Sequence, residues 1–271
     1  MSVKRMRKKS VNVRELNYAT PALEKGLDVI ELLARYPVGL SKSQIAGELN
    51  RTLSEIFRML HCLERRGYIA MLESERYCLT LKLFQIAQEH PPTERLITES
   101  LPVMQRFAQN CMQSCHLGVL QDTNVVILAQ VNSGTSVGFY VKPGSSIDLM
   151  EAATGYVILA HFTPEQRERI LAEWSRRTRA KPPRDLNIHL DRIRKTGYEK
   201  CASYQVKGIV NISFPILDNR GTPLAALTVP YIEYSTGSVS LAYVIDILRR
   251  AAIEITAAIG GKQTAIVTKQ G

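Results

Sequence analysis

The residues in this chain best placed to act on another molecule cluster around one short segment: Arg51, Thr52, Ser54, Glu55, Arg58 and His61, with Arg76 a little beyond. A guanidinium can grip a guanine edge with two hydrogen bonds or clamp a phosphate. Arg58 is the first candidate for such a contact. Arg51, Thr52 and Ser54 stand where a helix would begin, and the free amides and dipole there favour a phosphate. Glu55 is on the same surface but also has a helix cap to serve. Arg76 is the phosphate candidate behind an acidic tip, Glu73-Ser74-Glu75.

The elements that must position these residues follow from local signals. Ser41 with Gln44, and Thr52 with Glu55, form two capping boxes eleven residues apart. Leu40 and Ile45 suit a hydrophobic staple around the first box, and only Leu49-Asn50-Arg51 remains for a turn. In the second helix Ile56, Leu60 and Leu63 make one apolar stripe, opposite Ser54, Glu55, Arg58 and His61. The pattern describes a helix-turn-helix; the competing reading is an αα-hairpin in a core. Gly67 ends the second helix after Arg65 and Arg66. Strand-like runs at 68–72 and 76–80 then predict a hairpin, the wing of a winged helix. Ahead of the motif, Pro21, Leu23, Leu27, Ile30 and Leu33 predict an amphipathic helix packed beneath it.

At 271 residues the chain is expected to form about two domains. Its net charge is +10, and six basic residues without an acid fall within residues 1–14. That stretch predicts a basic disordered arm (1–18), either a salt-sensitive aid to DNA binding or a solvated tail. Residues 15–70 carry seven basic and seven acidic residues, so binding must rest on where individual arginines point. No apolar run is long enough for a membrane span, and no signal-peptide core follows the basic start. Five irregularly spaced cysteines argue against a disulfide framework, and a cytoplasmic location is expected. Cys111 and Cys115, one helical turn apart beside His116, resemble half a metal site, but no second pair matches. No cofactor, metal or catalytic set is expected: phosphate-loop, dinucleotide and nucleophile-elbow motifs are lacking. The Arg-rich 176–184 stretch reads as a solvated loop.

The winged-helix domain is assigned to 19–90, with a helix over 79–87 closing it and a break at Glu89–Pro92. A helix over 93–111 opens the second domain, assigned to 91–260, before a disordered tail (261–271). Strands are predicted at 117–120, 125–131 and 137–141, separated by turn-rich segments. Thr163-Pro164-Glu165-Gln166 is a third capping box, opening a helix to about Trp174, with a basic loop from there to Asp185. A helix at 186–196, strands at 208–217 and 224–229, and a final helix at 239–259 complete a mixed domain of antiparallel strands covered by helices.

This ordered set resembles the IclR family of bacterial transcriptional regulators over nearly all of Pro21–Ile259. The likeness rests on S-x-I-F-R-M-L-x-x-L-E-R-R-G-Y-I (54–69) and Leu79-Thr80-Leu81. In the second half it rests on Cys115–Leu120, Gly155–Ala160, Gly208–Pro215 and Ala225–Thr228. It implies an α+β chain: an N-terminal winged helix-turn-helix and a C-terminal GAF-like α/β effector-binding domain. It also implies a homodimer or a dimer of dimers (a homotetramer) that represses a catabolic operon from a palindromic operator, although members can repress or activate. The family's ligand pocket maps onto the strand around Phe139, the turn Ala153-Thr154, and Asn211 and Thr228, with Cys201 nearby. Small residues leave space there, amides near Thr154 suit a carboxylate, and Asn211 and Thr228 offer neutral hydrogen bonds, so a small organic acid or aromatic effector is expected. Three departures stand out: Tyr156 where a basic residue is common, Asn211 where cysteine is common, and Asn50-Arg51-Thr52-Leu53 where a Gly or Leu-Pro turn is usual. Two other readings stay open. One is a metabolite-sensing or enzymatic domain with a helical hairpin for protein contact. The other is an architectural DNA-binding protein whose second domain only oligomerises.

Overall fold

The computed structural model describes residues 20–88, 91–235, 237 and 239–262. The expected basic arm lies outside the described residues, as does all of the expected tail beyond Lys262. Gly261 and Lys262 are tied back by backbone hydrogen bonds to Thr256 and Asp218. The chain divides into two compact units, residues 1–90 and 91–271.

In the first unit, α1 (Pro21–Leu33), α2 (Lys42–Glu48) and α3 (Leu53–Arg65) precede a hairpin of β1 (Ile69–Met71) and β2 (Tyr77–Leu79), followed by α4 (Lys82–Gln88). Both capping boxes close: Ser41 with Gln44, and Thr52 with Glu55. The predicted stripe is buried, with Ile56 and Leu60 packed against Val29 and Leu33 of α1, Ile45 of α2 and Ile69 of β1. The hairpin is antiparallel, Ile69 opposite Leu79, and Leu40 bridges to Tyr77. Gly39 makes that bridge feasible: its φ is +71°, and a Cβ would stand 2.6 Å from the Tyr77 carbonyl oxygen.

The second unit opens with α5 (Pro91–Cys111). Of the predicted break at 89–92, Glu89 and His90 lie outside the described residues, and the two prolines sit in the first turn of α5, where a missing N–H costs nothing. Then come β3 (Cys115–Gln121), β4 (Asn124–Val131), β5 (Ser146–Asp148), one 3-10 turn (Leu149–Glu151) and α6 (Ala153–His161). They are followed by α7 (Pro164–Thr178), α8 (Leu186–Thr196), β6 (Glu199–Ala202), β7 (Val210–Leu217), β8 (Pro223–Tyr231) and α9 (Leu241–Ala258). The six strands form one antiparallel sheet in the order β5-β4-β3-β8-β7-β6. Helices α5 and α9 cover one face, burying Met104, Phe107, Leu248 and Ile255 against Leu117, Phe214 and Leu227. On the other side α6, α7 and α8 form a second core around Val157, Leu159, Trp174, Leu190 and Ile193. The result is a helix–sheet–helix sandwich, the mixed antiparallel layering expected.

Four readings of the sequence need correction. Residues 137–141 form no strand; Gly138 lies so close to Ser133 that a Cβ would stand 2.7 Å from its Oγ, and the edge strand is the short β5 instead. Ala153 and Thr154 are not a turn but the first residues of α6. Helix α7 runs past Trp174 to Thr178 and ends at Arg179 in the left-handed region. Strand β6, at the edge opposite β5, had no predicted counterpart.

Candidate DNA interface and effector cavity

Cap chemistry fixes the start of α3. Thr52 Oγ1 accepts from the Glu55 amide at 3.3 Å, and Glu55 Oε2 accepts from the Thr52 amide at 3.0 Å. The other Glu55 oxygen takes Lys25 Nζ of α1 at 2.7 Å. That hydrogen bond, seconded by the Thr52 amide, holds the Glu55 carboxyl down to about 2. Both oxygens are thus committed inside the unit, and a base contact by Glu55 would have to compete with them.

The expected arginines divide. Arg51 pairs with Asp28 of α1 at 3.3 Å, and its Nε is buried without a partner. Arg76 donates to the Gly39 carbonyl at 3.3 Å, bracing the hairpin against the loop before α2. Arg58 is exposed, on one face with Ser54, His61 and Arg65, diametrically away from Ile56 and Leu60. Of the seven expected residues, then, Ser54, Arg58 and His61 form one outward face and Thr52 caps it, while Arg51, Glu55 and Arg76 position the elements behind it. Phe57 is a large apolar side chain left 55% exposed beside that face. It stacks with His61 at 6.5 Å between ring centroids, and Lys42 Nζ stands 5.2 Å over its ring. Sequence reasoning did not single out Phe57. Its signal is an apolar residue one turn before His61 and off the buried stripe.

In the second unit, the sheet face toward α6 carries a continuous polar row across five strands. Gln130, His116, Thr228, Ser213 and Glu199 stand opposite one another in register. Their strand neighbours Leu117, Ile212, Phe214, Leu227 and Val229 point the other way, into the α5–α9 core. Thr228 Oγ1 is 2.7 Å from Ser213 Oγ and 2.8 Å from Thr154 Oγ1 on α6, a fully buried hydroxyl chain. At the far end, Glu199 is buried and paired with both His189 and Arg192.

Above this row lies a cavity of about 40 Å³ that opens to solvent. Its lining includes His116, Phe139, Glu151, Thr154, Asn211 and Thr228. Five of the six expected effector residues line it: Phe139, Ala153, Thr154, Asn211 and Thr228. Cys201 does not. It lies opposite Asn211 on β6, and its thiol is pushed up to about 11, first by burial and then by Glu199. His116 was discounted in the sequence as half of a metal motif, yet it is a wall of this cavity. Burial alone lowers its imidazole to about 4, so the ring is neutral at pH 7. The neighbouring Cys111 thiol is raised by burial to about 12, and Cys115 is raised still further. Among the described residues no group of three or more His, Cys, Asp or Glu is placed to hold a metal ion. No helix among them is long and apolar enough to cross a membrane.

Comparison with known proteins places both halves. Residues 22–71 match the IclR helix-turn-helix domain, and residues 93–257 match the C-terminal domain of the bacterial transcriptional regulator IclR. The HTH-type transcriptional regulator KdgR of Escherichia coli is 26% identical over 223 residues, 80% of this chain and 85% of KdgR. The HTH-type transcriptional repressor AllR of Salmonella typhi is 24% identical over 214 residues, covering 77% and 78% of the two chains. Among solved structures, an IclR homolog from Microbacterium hydrocarbonoxydans complexed with 4-hydroxybenzoate superposes with a TM-score of 0.71 at 22% identity, covering 88% of this chain and 98% of that one. Pseudomonas aeruginosa HmgR gives 0.71 at 21% identity, with coverage of 89% and 100%. At these identities the structural likeness speaks for the fold. The sequence matches, joined in order along one chain whose first unit exposes the arginine face of α3, speak for more: this protein belongs to the IclR family of helix-turn-helix transcriptional regulators.

Proposed function

We infer that this protein binds a palindromic operator through α3 and that a small organic acid in the cavity above the sheet modulates that binding. The observation that carries the first part is the outward face Ser54–Arg58–His61–Arg65, free of the apolar stripe and braced from behind by Lys25, Arg51 and Arg76. Arg58 contacts a base edge or a phosphate, and Phe57 offers an apolar surface suited to a thymine methyl. Residues 19–90 form the DNA-binding domain, and 91–260 the effector-binding and oligomerisation domain. A homodimer, or a dimer of two such dimers, sets two α3 helices about one DNA turn apart. The basic residues before position 15 add salt-dependent attraction to phosphate. The protein acts in the cytoplasm as a repressor of a catabolic operon, in keeping with relatives that are named repressors.

Support for an acid comes from the cavity. Thr154, Asn211 and Thr228 offer neutral hydrogen bonds, and Ala152 at the cap of α6 has no side chain to satisfy the first amides of that helix. Phe139, Val141 and Ile147 supply an apolar wall. A volume of about 40 Å³ has room for about three waters, which favours acids of few atoms over large ones. A solved neighbour of the same fold is complexed with 4-hydroxybenzoate, which supports an acid as the class. The test is selection of bound genomic DNA by the full-length protein, repeated with a panel of carboxylates. A sequence-specific footprint that a carboxylate alters is expected. Binding indifferent to sequence, or turnover of a small molecule with no footprint, would overturn the reading.

A further inference from the structure

The polar row beneath the cavity is almost fully partnered. Glu199 holds His189 and Arg192, and Ser213, Thr228 and Thr154 share one hydroxyl chain. The exceptions are His116 and its neighbour Gln130. His116 lines the cavity and is only 7% exposed; its Nδ1 is sealed off without a hydrogen-bond partner, so the ring nitrogen left to meet the cavity is Nε2, which has no partner in the fold either. Beside it on β4, Gln130 gives its amide nitrogen to the Phe139 carbonyl at 3.2 Å and to Asn132 Oδ1 at 3.1 Å, and its own Oε1 is likewise unpaired. Unpaired buried polar atoms weaken a fold, and native proteins keep few of them. A ring nitrogen that faces a cavity finds its partner in whatever fills the cavity.

The chemistry of that partner can be read from the ring. A neutral imidazole carries one N–H and one lone pair, so it can give one hydrogen bond and take one. A ligand hydroxyl, able to give or to take, can meet the one nitrogen that faces it in either tautomer. A ligand carboxylate is better served by the uncapped start of α6. Among the lining residues Glu151 is the one carrying a full charge, and no Lys or Arg joins it, so a second acid group on the ligand would meet repulsion. One carboxylate and one hydroxyl is the combination this wall accommodates.

We propose that His116 is the specificity-determining residue of the cavity and hydrogen-bonds the hydroxyl of a small monocarboxylic hydroxy acid. The proposal rests on the effector reading above and narrows it.

The experiment pairs three hydroxy acids with their deoxy counterparts: glycolate with acetate, lactate with propionate, and 4-hydroxybenzoate with benzoate. Full-length wild type, H116L and H116Q are compared by thermal shift and titration calorimetry. In wild type, at least one hydroxy acid is expected to bind about tenfold or more tightly than its counterpart. H116L brings that ratio close to one. H116Q, which keeps a donor and an acceptor, preserves it. Without ligand, H116L melts at or above the wild-type temperature, since it removes an unpaired polar atom. Equal binding of both members of each pair, an undiminished preference in H116L, or a ligand-free H116L melting several degrees lower would each overturn the assignment, the last by making the ring an ordinary part of the core. If none of the six acids binds, the proposal fails, whereas the broader effector reading fails only if the carboxylate panel on DNA is also without effect.

Discussion

Lys25 of α1 grips Glu55 of α3 at 2.7 Å, while the second oxygen of the same carboxylate closes the cap on Thr52. One side chain therefore sets both where α3 begins and how it lies on α1. The exposed Ser54–Arg58–His61 side of the helix inherits its orientation from a contact on its flank.

This arrangement predicts a response to acid. The Glu55 carboxyl is held down to about 2 in the folded chain, below its ordinary 4.5, so its contribution is present above 4.5 and is lost as pH falls from there through about 2. K25M removes the largest cause of that shift. Urea unfolding measured from pH 5 to pH 2 should show a shallower loss in K25M than in wild type. In T52A, at neutral pH, loss of the cap hydroxyl should cost about 1 kcal/mol.

The division among the arginines predicts two kinds of mutant. R58A should weaken operator binding by roughly 1–3 kcal/mol and leave the melting temperature unchanged. R51A and R76A remove internal contacts to Asp28 and to the Gly39 carbonyl. Each should lower the melting temperature and weaken DNA binding in step with it. Gel shifts at fixed salt alongside calorimetric melting check the contrast, and a stable R51A with selectively lost DNA binding would contradict it.

His116 predicts a second pH effect, at higher pH. Its folded value near 4 lies below the ordinary 6.5, so the unfolded chain binds the proton more readily between the two. Stability should fall as pH drops from about 6.5 toward 4, by an amount on the order of 3 kcal/mol at full protonation of the unfolded chain. His161, also lowered mainly by burial, adds to the slope. H116L should flatten the profile in that window and leave the acid limb of Glu55 intact.

Gly155 predicts a steric defect. A Cβ there would overlap the Leu149 carbonyl oxygen, because α6 presses directly on the 3-10 turn. G155A should cost on the order of 1–3 kcal/mol in thermal unfolding. It should also impair effector response, since the same contact sets the start of α6 beside Thr154.

What the sequence revealed was whatever depends on near neighbours. The capping boxes at Ser41, Thr52 and Thr163 formed as read, because each is a bargain between residues three apart. The amphipathic α1 and α8 were equally readable. Helix α6 was not: every residue from Ala153 to Ala160 is buried, so no polar face marks its turn. Strand β6, with Glu199, Lys200 and Cys201 in its short length, lacks the composition of a strand and is held there by β7. Residues 137–141 failed in the opposite way: Val137, Phe139 and Val141 alternate like a strand, yet they make part of a cavity wall. In the site, Arg58 needed only its own helix to be placed. The inward pairing of Arg51 and Arg76, and the alignment of His116 with Thr228, depend on partners 23 or more residues away, beyond any local pattern.

Strands β7 and β8 work as a two-sided ruler: odd ticks belong to the cavity side and even ticks to the core on one, and the reverse on the other. Deleting or inserting a single residue within either would transpose the markings, driving hydroxyls and an amide into hydrocarbon or turning core side chains such as Ile212 and Phe214 toward the cavity. The chemistry of this wall can therefore be rewritten by exchanging side chains at fixed length, whereas a change in the count dismantles it.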